Sequence, residues 1–355
     1  MKLARPSLDQ LAAYVPGKSV EGKIKLASNE NAAGPSPKAL KQIRDSLASL
    51  NRYPDGGCLA LKKKLASHLG VKEPMLIVGN GSDEIILLAL RAFVDPGEEV
   101  VVADPTFLIY ALASKVAAAK VVAVALKNLR YDLKGMREAV TEKTKMVFIA
   151  NPDNPTGSFV TRTEVEKFME GLPKHVIVFF DEAYYEFAQD REYPDSRRYL
   201  GRHPVIITRS FSKAYGLAGL RVGYGIASAE LVQAMDLVRE PFNVNSLAQV
   251  AAIAALEDRA HLEKTRRLVR EGKKYICRKL DGMGLRYVPS QTNFLLVYVG
   301  EARAIYEKLL SFGVIVREMS GWKLEGYLRV TIGTQNENRR FTRLLRNILK
   351  EQKRA

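Results

Sequence analysis

A wound α/β sheet of seven mainly parallel strands, followed by a smaller α+β domain, is the architecture this 355-residue sequence predicts. Three observations lead there. Short, nearly continuous apolar runs fill the middle of the chain, as in strands covered on both faces. Helix-period stretches lie between several of them, the alternation that builds a largely parallel sheet. Beyond about Leu256 the pattern changes to a long charged helix and then mixed short strands and helices.

In chain order the candidate strands are Met75–Val78, Glu99–Ala103, Lys120–Leu126, Lys145–Ala150, His175–Phe180, Val205–Arg209 and Arg221–Ile226. Helical patterns include Ser82 to Phe93, Asp132 to Val140 and Thr163 to Met169. The last third reads as a helix over Asp258 to Leu280, strands at Asn293–Tyr298 and Tyr327–Thr331, and helices at Ala302–Ser311 and Glu337–Glu351. A chain this long suggests two domains rather than one minimal core. Residues 30–256 are expected to form the large domain, and 1–29 with 257–355 the small one. The stretch Met1 to Asn29 has no core of its own and should pack against the small domain or a neighbouring subunit.

Composition is that of an ordinary globular protein. No apolar run is long enough to span a membrane, and the start lacks the order of a secretory signal, so a cytoplasmic protein is expected. Cys58 and Cys277 stand far apart in no metal-type spacing, which predicts reduced thiols and no zinc site. The net charge of +16 raises nucleic acid as a partner. The basic residues are scattered over what read as solvated helix faces, without an RNA-binding motif, so no nucleic-acid partner is expected. A positive field also draws in small anions.

Five local signals carry chemistry. Gly79-Asn80-Gly81-Ser82-Asp83-Glu84 follows a strand and opens a helix, where Ser82 and Asp83 can cap and free amides can face an anion. The bland alternative is an ordinary capped turn. Asn151-Pro152-Asp153-Asn154-Pro155-Thr156-Gly157 makes a rigid loop past a strand's C-terminal end, where ligands of such sheets gather, and Asn154 offers an amide there. Asp181 ends the apolar run His175–Phe180, and a buried carboxylate needs a cation, either a pyridinium or an ordinary Arg or Lys. Ser210-Phe211-Ser212-Lys213 sets a lysine beside two hydroxyls at another strand end, a candidate amine nucleophile or a plain loop lysine. Arg221, eight positions on, is a planar fork suited to phosphate or else a surface arginine. Together they describe a pyridoxal 5'-phosphate (PLP) site: a lysine, an acid for a ring nitrogen, an amide for a ring oxygen, and hydroxyls with an arginine for a phosphate.

On these residues the chain resembles the fold-type I, class II PLP-dependent aminotransferases, and within them the histidinol-phosphate aminotransferase group. Further markers are Leu26 to Asn31 with Gly34-Pro35-Ser36, Arg52-Tyr53-Pro54-Asp55, Asp181-Glu182-Ala183-Tyr184, Pro241 to Asn245, Gly313 to Arg317 and Leu328 to Thr334, so the resemblance covers nearly the whole chain. It implies a homodimer and a role for each matching residue. Lys213 would be the Schiff-base lysine and the proton carrier. Asp181 would keep the pyridine nitrogen protonated, and Asn154 and Tyr184 would bond the ring oxygen. Ser210, Ser212, Arg221 and the amides of Ser82 and Asp83 would hold the phosphate, with Tyr53 reaching the phosphate of the other subunit. Phe107 would stack on the ring where many members have Tyr, which keeps the stacking and loses the hydroxyl. Arg329, helped by Arg317, would bind the substrate anion, and Tyr14 and Asn31 would close the pocket. Ala32 replaces a proline common at that place, a change of loop stiffness. The implied reaction is transamination between histidinol phosphate and 2-oxoglutarate. Phenylalanine or tyrosine transamination and threonine-phosphate decarboxylation are the alternatives that share these motifs, and a PLP-binding DNA regulator is a remoter one.

Overall fold

The computed structural model describes residue 3 and residues 17–352. Twelve strands and eleven helices occur among these residues. In chain order the strands are β1 (Ile24–Lys25), β2 (Leu76–Gly79), β3 (Glu99–Asp104), β4 (Lys120–Ala125), β5 (Thr144–Ala150), β6 (Ile177–Asp181), β7 (Val205–Ser210), β8 (Gly223–Ile226), β9 (Phe294–Tyr298), β10 (Val314–Ile315), β11 (Arg317–Glu318) and β12 (Tyr327–Thr331). The helices are α1 (Pro37–Ser46), α2 (Leu59–Leu69), α3 (Ser82–Phe93), α4 (Ile109–Val116), α5 (Leu133–Glu138), α6 (Arg162–Glu170), α7 (Ala229–Leu237), α8 (Ser246–Glu257), α9 (Arg259–Asp281), α10 (Ala302–Ser311) and α11 (Gln335–Gln352).

Seven strands form one sheet in the order β2-β8-β7-β6-β5-β3-β4. β3 to β7 run parallel to one another, and β8 lies antiparallel to both β7 and β2. The parallel strands β5, β6 and β7 are buried almost throughout, which is why they read as continuous apolar runs. Their C-terminal ends, Ala150, Asp181 and Ser210, fall side by side because the register pairs Ala150 with Asp181, and Asp181 with Thr208 two residues before Ser210. Three of the sequence signals therefore converge at one sheet edge.

The strand expected over Arg221–Ile226 starts at Gly223 instead. Arg221 has a left-handed backbone, φ +54°, and turns the chain into β8 rather than belonging to it. α8 shows no amphipathic period in the sequence because it is apolar nearly all round, with its alanines buried against α1, α2 and α9.

Two larger apolar clusters form. One gathers the sheet and its helices, from Ala39 to Leu256. The other joins α9, β9, α10, β12 and α11, and also takes Leu26, Tyr184 and Ala214. The three-stranded sheet has the order β11-β12-β9, and β1 pairs in parallel with β10. Thus the N-terminal residues from Ile24 pack on the C-terminal elements, and Tyr184 and Ala214 seat the second core directly beside Lys213.

Candidate active site

A cavity of about 210 Å³ opens at the C-terminal edge of the parallel strands. It is lined by Ser82, Asp83, Phe107, Asn154, Asp181, Tyr184, Ser210, Ser212, Lys213 and Arg221, together with Tyr110 and several small residues. Residues from Ser82 to Arg221 thus meet because each lies at or just beyond the end of a strand of the same sheet.

Lys213 lies partly buried between β7 and the cavity. Its Nζ makes one long hydrogen bond, 3.4 Å, to the Ser28 carbonyl, and stands 5.9 Å from the Tyr184 ring centre. Burial first, then the positive charge of Arg329, lowers its pKa to about 8. About a tenth of the amine is therefore unprotonated at pH 7, far more than for an ordinary lysine, as a nucleophile or base requires.

Asp181 and its neighbour Glu182 face opposite ways, as consecutive strand residues do. Glu182 meets Arg209 at 2.8 Å in a buried ion pair. Asp181 accepts only from neutral donors among the described residues: the Tyr110 hydroxyl at 2.6 Å and the Ala183 amide at 3.0 Å. Burial raises it to about 6 against those two bonds. The ordinary arginine partner belongs to Glu182, and Asp181 keeps its charge for whatever enters the cavity.

At the other end, the first turn of α3 presents the amides of Ser82 and Asp83. The capping expected of Ser82 and Asp83 does not occur. Gly81 occupies the N-cap, and the Asp83 carboxylate instead pairs with Arg221 at 3.3 Å. The reason is the αL turn at Arg221, which brings its guanidinium across the helix end. A Cβ on Gly223 would stand 2.5 Å from the Ser82 nitrogen, so β8 can back this cup only as glycine. The Ser210 hydroxyl accepts from the Ser212 amide at 3.1 Å, which turns the chain toward Lys213.

The Asn-Pro loop is held from beneath. Asp153 accepts from the Thr156 hydroxyl at 2.7 Å, the Thr156 amide at 3.1 Å and the Thr106 hydroxyl at 3.0 Å. Asn154 then projects its amide oxygen toward Arg329, whose guanidinium donates to it and, at 3.0 Å, to the Ala27 carbonyl. Arg329 is nearly buried and lies over the Phe294 ring. Arg317 is its register partner across β11 and β12, and stacks on Trp322. The register thus sets two arginines directly opposite on one sheet.

Other expected site residues are placed differently. Tyr53 is largely exposed, stacks on Phe242 at 4.7 Å and does not line this chain's own cavity. Asn31 does not line the cavity. Its amide donates to the Ala214 carbonyl at 2.9 Å and to Thr265 at 3.1 Å, so it braces the Lys213 loop rather than closing the pocket. Tyr14 lies outside the described residues. Phe107 lines the cavity edge-on to Tyr110 at 5.5 Å.

Two residues had no assigned role in the sequence reading. Tyr110, buried within α4, carries the hydroxyl bonded to Asp181. Asn29, with φ +57°, donates to the Tyr184 hydroxyl at 2.9 Å. Tyr184 itself is pushed up to about 12, chiefly by burial, and so stays a neutral phenol. Tyr110 is one aromatic in an apolar helix and carries no local signal. Asn29 sits in the Asn-Glu-Asn marker, and a buried polar residue there was a usable hint.

The family profile described as Aminotransferase class I and II matches residues 21–345. The chain belongs to the class I and II aminotransferases. It is 45% identical to the histidinol-phosphate aminotransferase of Moorella thermoacetica, over 97% of this chain and 92% of that one. It is 46% identical to the enzyme of the same name from Brevibacillus brevis, over 95% of each. The solved histidinol-phosphate aminotransferase from Sinorhizobium meliloti, in complex with pyridoxal-5'-phosphate, superposes with a TM-score of 0.89 at 30% identity, over 99% of this chain and 97% of that one.

The cavity fits that group. It offers an amine of lowered pKa, an acid without a cationic partner among the described residues, and at the far end a helix N-terminus with Arg221 for a phosphate.

Proposed function

We infer that this chain is a PLP-dependent aminotransferase that moves the amino group between histidinol phosphate and 2-oxoglutarate in histidine biosynthesis. The observation that carries the substrate reading is the Arg317–Arg329 pair abutting Asn154. Histidinol phosphate has no carboxylate, so its anion is the phosphate, and glutamate brings a carboxylate to the same place. A guanidinium fork accepts both. The shared name of relatives at 45% and 46% identity supports the same reading.

Bound PLP supplies an electron sink for the charge left when the substrate carbon loses its proton. Everything else falls to the chain. Ser82, Asp83, Ser210, Ser212 and Arg221 hold the phosphate, and the Asp83 carboxylate keeps Arg221 in place. Asp181, oriented by Tyr110, stabilises a protonated ring nitrogen. Asn154 and Tyr184 bond the ring oxygen, and Phe107 packs on the ring. Lys213 Nζ would hold the cofactor and, once freed, act as the base that takes the proton from the amine-bearing substrate carbon. Arg329 and Arg317 anchor the substrate so that this carbon stays within reach of Lys213.

Residues 30–256 are read as the large PLP-binding domain, and 1–29 with 257–355 as the small one; the two apolar clusters support that division. The exposure of Tyr53 supports a homodimer in which it serves the partner's phosphate. A cytoplasmic location suits a pathway of small anionic metabolites, and among the described residues no helix is long and apolar enough to cross a membrane.

The test is the half-reaction of the PLP-loaded protein with histidinol phosphate, phenylalanine and threonine phosphate in turn. Rapid formation of pyridoxamine phosphate at low histidinol phosphate is expected. Fast reaction with phenylalanine alone would assign aromatic transamination, and carbon dioxide from threonine phosphate would assign a decarboxylase.

A further inference from the structure

Away from the active site, a second cavity of about 430 Å³ opens between α9 and the segment 287–291. One wall carries Arg266, Arg270, Lys273 and Lys274, whose spacing puts them on one side of α9. Gln189 and Gln291 face them, and no carboxylate lines the space. Arg266 reaches Glu263 at 3.4 Å with one terminal nitrogen, but its Nε is buried without a hydrogen-bond partner. Lys273 Nζ donates to the Ser290 carbonyl at 2.8 Å. Among the described residues, neither it nor Arg270 or Lys274 has a carboxylate partner. Burial lowers the Lys273 pKa to about 8, as happens to an ammonium with no counter-charge. Concentrating cations in a concavity raises the local potential and favours an anion there.

We propose that this cavity is a second anion site, which takes a small organic phosphate on the Arg266 and Arg270 guanidiniums and the Lys273 and Lys274 ammoniums. Phe187, Val269 and Leu295 give its carbon skeleton an apolar surface, and the two glutamine amides reach its neutral polar groups. The cavity is also tied to the Asn-Pro loop. The Gln291 amide donates to the Gly157 carbonyl at 2.9 Å, and its side-chain oxygen accepts from the Gln189 amide at 2.9 Å. Gly157 lies three residues beyond Asn154, and a Cβ there would stand 2.5 Å from the Ser290 hydroxyl. An occupant resting on 289–291 therefore bears on the loop that positions Asn154.

The experiment labels the holoenzyme with an amine-reactive reagent and follows the Lys273 peptide by mass. Glycerol 2-phosphate, citrate and sodium chloride are compared at equal ionic strength. A saturable slowing of at least about fivefold is expected with glycerol 2-phosphate, and it should vanish in R270Q/K274Q while transamination without added anion is unchanged. Slowing by citrate alone would overturn the phosphate assignment. Slowing no greater than with chloride, or undiminished in the variant, would overturn the site itself. Should the double variant lose its circular dichroism, K274Q alone, at an exposed position, carries the comparison. The readout is labelling rather than turnover, so it is independent of which amine the enzyme uses.

Discussion

Lys213 and Asp181 meet in one cavity with their pKa values displaced toward each other, the amine down to about 8 and the acid up to about 6. Both shifts begin with burial, which disfavours the charged form of each. Lys213→Ala removes the amine, and kcat is expected to fall at least about 10³-fold; near-normal steady-state transamination would refute its role. Tyr110→Phe removes a hydrogen bond that favours the Asp181 carboxylate. The Asp181 pKa then rises further, and the acid limb of the kcat/KM profile should move to higher pH while its alkaline limb stays. The lysine also leaves a mark on the apoprotein. Its folded pKa lies below the ordinary 10.5, so the unfolded chain binds more protons between about pH 8 and 10.5. Stability from this group is lowest below pH 8 and recovers as pH rises through that window. Urea unfolding should show apo Lys213→Met gaining up to about 3 kcal/mol over wild type at pH 7, with the difference shrinking toward pH 10.5. A pH-independent difference would mean that the charged amine is well solvated.

The strand ends and the turns beyond them set how these groups are presented. β6 turns Glu182 to Arg209 and Asp181 to the cavity, and this division depends on the buried ion pair. Glu182→Ala strands the Arg209 charge and should cost about 3–5 kcal/mol in denaturant unfolding, far more than an exposed pair. A loss under about 1 kcal/mol would show that water reaches Arg209. The cup at the start of α3 depends on β8 approaching as bare backbone. Gly223→Ala puts a methyl 2.5 Å from the Ser82 nitrogen. The strand must shift, at a cost of about 1–3 kcal/mol, and PLP affinity measured by reconstitution should fall more than thermal stability does. The PLP residues were legible in the sequence because each motif is local: a short run of Gly, Asn-Pro, Asp or Ser-x-Lys placed just after an apolar strand. Tyr110 was not, since its partner lies 71 positions away and nothing in helical period marks it, and Asn29, whose partner lies 155 positions away, had only its place in the Asn-Glu-Asn marker.

Two apolar cores are joined where Tyr184 and Ala214 enter the second; in the proposed reading most cofactor groups ride on the first and the substrate arginines on the second. Tyr53 is exposed and does not line its own cavity, and the dimer reading makes a sharp prediction. Tyr53→Ala and Lys213→Ala chains should each be poorly active alone. Mixed and reassorted, they form hybrid dimers with one intact site, and about a quarter of full activity should return. No recovery would place Tyr53 outside the partner's site. By itself the sequence determined the sheet, the family, the cofactor and most of the residues that line the cavity, because those depend on apolar runs and short turns written contiguously. Only the tertiary structure decided that Glu182 takes the arginine and Asp181 does not, that Asn31 braces the lysine loop, that Arg317 faces Arg329, and that four cations of α9 line a second cavity. Each of those is a contact between segments distant in the chain, fixed by strand register and helix facing.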